Sequence, residues 1–224
     1  MKTSVTTIAA TAVAMFGAGY APAQEEEKPA MSFFLTSVGS GDGANLGGIE
    51  GADAHCQALA EAAGHLGKTW RAYLSSDPRP GKPAINARDR IGQGPWYNYD
   101  GRTIARDLSH LHGDTLEEAR NGNLISVFTA LTEDGAEVNM VGDRPNKHDI
   151  LTGTKLDGRS FNDDKDHTCN NWTSSDEGTA QLGHHDRTSS GSISWVSAHP
   201  SRGCSQDDLK ASGGAGLFYC FAID

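Results

Sequence analysis

The chain has 224 residues, with 27 Gly, 8 Pro, 37% hydrophobic and 7% aromatic residues, and a formal charge of −10. That length fits one good core or two small ones, and a hydrophobic fraction below the usual ~45–50% predicts a loop-rich globule rather than a helical bundle. The acidic balance excludes a broad nucleic-acid or heparin role, because such binding draws its affinity from Lys and Arg neutralising phosphate or sulfate.

The first residues carry an address. Met1-Lys2 is basic, residues 8–16 are apolar and uncharged, and Ala21-Pro22-Ala23 places small residues where a signal peptidase reads them. Residues 1–23 therefore read as a signal peptide, removed before Gln24 along with Lys2. The apolar stretch is far shorter than the roughly 20 residues of a membrane span, and no later segment qualifies. The expectation is an exported, soluble protein, periplasmic or extracellular. Residues 24–31, with Glu25-Glu26-Glu27 and Pro29, read as a mobile acidic leader, which leaves a single domain over residues 32–224.

Residues 32–38 are aromatic and β-branched and predict a strand. After a glycine-rich bend, Ala52, Cys56, Leu59, Ala60 and Ala63 fall on one face at helical period, which predicts a helix over residues 51–63 ended by Gly64. Residues 70–76 alternate as a half-buried strand, with Trp70, Ala72 and Leu74 inward and Arg71 and Tyr73 outward. Residues 77–103 read as an ordered loop carrying Trp96, Tyr97 and Tyr99, and residues 107–112 as one or two helical turns. Residues 150–154, 168–173, 192–197 and 217–223 are the remaining predicted strands, so the simplest architecture is a single α+β domain with a mainly antiparallel sheet.

Four cysteines, Cys56, Cys169, Cys204 and Cys220, in an oxidising compartment predict two disulfides, with three connectivities open. No pair has the C-x-x-C spacing of a redox or zinc knuckle. A nested arrangement would staple the start of the domain to its last strand.

Taken together, GGIEGADAHCQALAEAAGHLGKTWRAYLSS from Gly47 to Ser76, then ILTGTKLDGRSF, HTCNNWTSS, GTAQLGHHD, WVSAH and CSQDDLKASGGAGLFYCFA, resemble the C-type-lectin-like superfamily. The closest resemblance is to the collagen endostatin domain and to bacterial relatives loosely described as lectins. It runs from about Phe33 to the C-terminus. The resemblance implies a C-type-lectin-like fold with one or two helices, long loops and the nested pairing, first cysteine with fourth and second with third. Three departures bear on function. The superfamily's calcium-dependent sugar site uses a long loop with a Glu-Pro-Asn or Gln-Pro-Asp triplet and a Trp-Asn-Asp triplet, whereas only RSFNDDKDHT separates Gly158 from Cys169. Arg144-Pro145-Asn146 lacks the carboxylate, and the Trp195 segment lacks the acids. Endostatin's amino-terminal zinc histidines have no counterpart, since no His precedes His55.

Several constellations bear on chemistry. Asn162, Asp163, Asp164 and Asp166 offer hard oxygen ligands and make this loop a candidate Ca²⁺ site, although it lacks the Gly and the bidentate Glu of an EF-hand. Trp172 lies close to this loop in sequence, either as a core residue or as a face for a pyranose ring. His184-His185-Asp186 is the densest metal-like run. Adjacent histidines on a strand point to opposite faces, so a site there needs a partner such as His199, His110 or His112. Asp164, Asp166, His184 and His185 are thus the metal candidates. Gly39-x-Gly41-x-x-Ala44 copies a dinucleotide fingerprint, but the predicted helix starts too late to meet a pyrophosphate. No G-x-S-x-G or H-E-x-x-H motif is present, and Asn171-Trp172-Thr173, a glycosylation sequon, falls on a predicted buried strand.

The resulting expectation is an exported, monomeric lectin-like module that recognises a carbohydrate or a protein surface without catalysis. Trp96, Tyr97, Tyr99, Asp163, Asp164, Asp166 and Trp172 are its candidate contacts. The rival readings are an envelope scaffold that touches no sugar and a secreted hydrolase.

Overall fold

A computed structural model of the chain describes Lys2 and residues 27–112, 122–188 and 192–224. Nearly all of the expected signal peptide and residues 24–26 of the expected leader lie outside the described residues. Residues 27–30 are exposed coil, whereas Met31 is already part of the core.

The fold is α+β, with a six-stranded mixed sheet, few helices and two disulfides. Its strands are β1 (Phe33–Leu35), β2 (Trp70–Ala72), β5 (Asp149–Leu151), β6 (Gln181–His184), β7 (His199–Pro200) and β8 (Gly214–Ala222). A separate pair is formed by β3 (Trp96–Tyr97) and β4 (Thr103–Ala105). Along the main sheet the order is β1-β8-β5-β6-β7, with β2 also pairing with β8. The expectation of a mainly antiparallel sheet needs one correction, because β5 runs parallel to β8 at the centre.

The central strand is β8, a continuous apolar run buried on both faces. Phe218, Cys220 and Ala222 face one core with Phe34, Trp70, Leu151, Trp172 and Leu182. Leu217, Tyr219 and Phe221 face the other with Phe33, Tyr73, Trp96 and Trp195. Each large side chain so buried contributes about 1.5–3 kcal/mol from the water it leaves.

The first core is closed by α1 (Gly48–Ala62), which buries Ala52, Cys56 and Ala60, the face the periodicity predicts. Its polar positions grip β2: Asp53 accepts from the Ala72 N–H at 2.9 Å and pairs with Arg90 at 2.6 Å, while Gln57 accepts from the Trp70 N–H at 2.9 Å. Gly64, at φ 85°, ends the helix by letting the Gly64 and His65 N–H groups reach the Glu61 and Ala60 carbonyls. Cys56 pairs with Cys220 and Cys169 with Cys204, so the nested connectivity holds.

Four expectations are corrected. Residues 168–173 are not a strand: Cys169, Asn170, Asn171 and Trp172 form one left-handed turn with φ of 48–65°. The Asp166 carboxylate holds that turn by accepting from the Thr168 and Asn170 N–H groups at 3.1 Å. Residues 192–197 are bends rather than a strand, because they cross over β6 where Gly183 has no side chain. Tyr73 points inward, its hydroxyl 2.6 Å from His112 Nε2. Trp96 and Tyr97 lie on β3 rather than in a loop. The expected turns at 107–112 form α2 (Leu108–His112), and the sequence reading passed over α3 (Gln206–Ser212), capped by Ser205.

Candidate functional site

The chemically distinctive place is the end of the sheet where β5, β6 and β7 meet. Asp149 opens β5 and is the direct antiparallel partner of His184, the last residue of β6. His199 opens β7 opposite Leu182, two positions before His184 on the same face. His148 stands immediately before β5. Register therefore gathers four residues that are far apart in sequence.

The Asp149 carboxylate is their common focus. Its Oδ1 lies 3.1 Å from His148 Nε2, 3.3 Å from His184 Nε2 and 3.4 Å from His199 Nε2. The Asp149 and His184 side chains are 1% exposed and His148 is 8%, while His199 at 39% forms the outer wall. The Asp149 oxygens and His184 Nε2 are buried without a hydrogen-bond partner among the described residues. Such orphaned groups are costly, so their clustering calls for an explanation.

The opposite edges of the rings supply one. His184 Nδ1 lies 2.8 Å from the Ser192 carbonyl and His199 Nδ1 lies 3.0 Å from the Pro200 carbonyl. His148 Nδ1 lies 3.4 Å from Asp186 Oδ1. These oxygens only accept, so each Nδ1 donates to one of them, and in a neutral ring of that tautomer the Nε2 lone pair faces Asp149. Lone pairs facing a carboxylate repel unless a cation, either a proton or a metal ion, lies among them. An outer carboxylate or carbonyl that fixes the histidine tautomer is the usual support of a metal ligand.

The imidazoles also set the ionisation of the carboxyl group. Burial opposes ionisation of Asp149, but the imidazoles of His184, His199 and His148 outweigh it and hold the carboxyl below its ordinary value. Asp186 is also opposed by burial, yet His148 and the N–H groups of Val141 and Thr188 bring it down to about 2. Asp149 raises His199 above an ordinary histidine, against the effect of burial.

The sequence candidates divide. His184 belongs to the centre, and of its three suggested partners His199 joins it. His110 accepts from the Arg106 N–H and His112 faces Tyr73, so neither joins. His185, in the turn that follows β6, is buried with its Nε2 on the Asn139 carbonyl. His148 and Asp149 were missed. The available signal was a His-Asp pair opening a predicted strand.

Trp96 and Trp172 are 1% and 0% exposed, and the Trp172 indole N–H donates to the Ser75 carbonyl at 2.7 Å. They are core residues and present no face to a ligand. Tyr97 is half-buried, and Tyr99 is 37% exposed with the Lys28 ammonium 4.9 Å from its ring centre. Asp163, Asp164 and Asp166 line an open cleft of about 710 Å³ with Asp77, Arg79 and Glu177. Much of this carboxylate capacity holds the loop itself: Asp163 accepts from the Lys165 N–H, and Asp77 from the Thr168 hydroxyl at 2.8 Å. The sequon residue Asn171 donates its amide to the Asp77 carbonyl.

No known family model matches the chain, and no curated protein matches it.

Proposed function

We propose that this chain is an exported, disulfide-stapled binding module that holds a divalent transition-metal ion at His148, Asp149 and His184, and that it works by recognition rather than turnover. One observation carries the metal reading: the buried oxygens of Asp149 and Nε2 of His184 have no hydrogen-bond partner among the described residues, and one donor atom from each of the three residues lies within 4.8 Å of the others. Imidazole nitrogen with carboxylate oxygen suits zinc and its first-row neighbours. The test is equilibrium dialysis of the metal-free chain against zinc. One bound equivalent that is lost in both His184→Ala and Asp149→Asn supports the reading, and no binding at micromolar zinc overturns it.

The Met1–Ala23 pattern and the two disulfides support export to the periplasm or beyond. Among the described residues no helix is long and apolar enough to cross a membrane. The nested pairing supports the C-type-lectin-like, endostatin-related reading of the fold. The acidic cleft beside the Cys169–Cys204 bridge is the surface that favours a carbohydrate or protein ligand. A glycan array run with and without chelator tests that second reading, and an absence of hits at high protein density favours an envelope scaffold.

A further inference from the structure

We propose that the concave surface between the N-terminal segment and the α1–β2 connection binds an apolar carboxylate, a small molecule with one carboxylate head and a hydrocarbon body. The site shares no residue with the metal centre and does not depend on it.

Shape and lining make the first argument. A cavity of about 400 Å³ lies there, with Pro29, Ala30, Leu66 and Tyr99 as apolar walls. That volume is within the range of about 300–1,000 Å³ usual for small-ligand sites, which combine a mostly apolar wall with a few placed polar groups. Leu66 is 73% exposed and Tyr99 37%, so two large side chains open to solvent meet in one concavity.

Charge makes the second. The polar lining is Lys28, His65 and Lys68, and no carboxylate side chain is part of it. The chain as a whole carries −10, and the cleft beside the Cys169–Cys204 bridge is lined by five carboxylates. Lys68 Nζ donates to the Asp224 main-chain oxygen at 3.2 Å, which leaves two of its three N–H groups for a ligand. A carboxylate oxygen is the acceptor that pairs most strongly with such donors, whereas a neutral or cationic molecule leaves them unmatched.

The basic wall is also held in place. The Lys28 stem lies against Gly101, where a Cβ would come within 2.5 Å of Lys28 Cγ, and its ammonium sits 4.9 Å from the Tyr99 ring centre. Tyr99 in turn meets the His65 ring edge-on at 5.8 Å and packs against Gly135. A lysine steadied in this way loses less freedom when a ligand arrives. Because Lys28 and Gly135 already cover the Tyr99 ring, a hydrocarbon body fits beside it better than a stacked pyranose.

The test is a titration of the full chain, kept in chelator, with octanoate, octan-1-ol and octylamine, followed by amide NMR. Octanoate should shift the Gly64, Leu66 and Tyr99 amides saturably and bind about tenfold tighter than octan-1-ol, with octylamine weakest. Lys28→Met, which keeps the stem and removes the charge, should bring octanoate close to octan-1-ol, and Gly101→Ala should do the same by displacing Lys28. Lys210→Met, a lysine outside the cavity, should change nothing. Tryptophan fluorescence reports that each variant is folded. Equal affinity for octanoate and octan-1-ol, a folded Lys28→Met variant identical to wild type, shifts confined to other residues, or no saturation at millimolar octanoate would each overturn the inference. None of these results bears on the metal reading, because the chain is metal-free throughout.

Discussion

Asp186 Oδ1 stands 3.4 Å from His148 Nδ1, and by holding that side of the ring it presents the opposite nitrogen to Asp149. Asp186 is itself fixed by the Val141 N–H at 2.9 Å and the Thr188 N–H at 3.0 Å, so the support is rigid. Asp186→Asn should therefore weaken zinc by about 10–100-fold while one equivalent still binds at saturation. A chelator competition measures it, with Asp163→Asn, in the acidic cleft, as the unchanged control.

Gly183 sits beside the centre where the chain crosses back over β6. A Cβ at this position would lie 1.9 Å from the Trp195 carbonyl oxygen, which no side-chain rotation relieves. The same crossing delivers the Ser192 carbonyl to His184. Gly183→Ala should cost about 1–3 kcal/mol in urea unfolding of the metal-free chain, and should weaken zinc as well.

Binding to the folded state alone stabilises it. At a hundredfold excess over Kd, zinc should add about 2.7 kcal/mol, a rise of roughly 5–10 °C in Tm for a domain of this size. Chelator should reverse the rise, and His184→Ala should show none.

His112 carries a pH dependence of its own, away from the metal residues. Burial lowers it to about 4, with the Leu108 carbonyl acting in the other direction. Between about pH 6.5 and pH 4 the unfolded chain takes up a proton that the folded chain refuses, so stability falls as pH falls through that window. The full contribution is about 3 kcal/mol, lost by pH 4. Denaturant midpoints measured in chelator at pH 7 and pH 4.5 should show the loss, and His112→Asn should flatten the slope.

The two disulfides close loops of different size, with sequence separations of 164 for Cys56–Cys220 and 35 for Cys169–Cys204. Loop entropy assigns them about 5 and about 4 kcal/mol. Replacing both cysteines of the outer bridge with serine should therefore lower the urea midpoint more than the same change to the inner one.

What was legible in the sequence is what depends on local pattern. The apolar period of Ala52, Cys56 and Ala60 gave α1, and the unbroken apolar run at Leu217 to Phe221 gave the central strand. Tyr73 was misread because alternation assumes one wet face, whereas β2 leads into a second core. The strand expected over residues 168–173 failed because Asp166 and Thr168 offer their own hydrogen bonds to a left-handed turn at Cys169–Trp172, which no hydrophobic pattern encodes. The centre was half legible: His184 stood out beside His185, and His199 was named as a partner. Asp149 and His148 were hidden because only the pairing of β5 with β6 brings them there.

An anomalous difference map from a zinc-soaked crystal, recorded on both sides of the zinc absorption edge, tests the central claim most directly. The account predicts a single peak within about 2.0–2.2 Å of a donor atom of each of His148, Asp149 and His184. A map featureless at that point, with the three imidazoles and the carboxylate still gathered around it, would show that a shared proton balances them and would contradict the account.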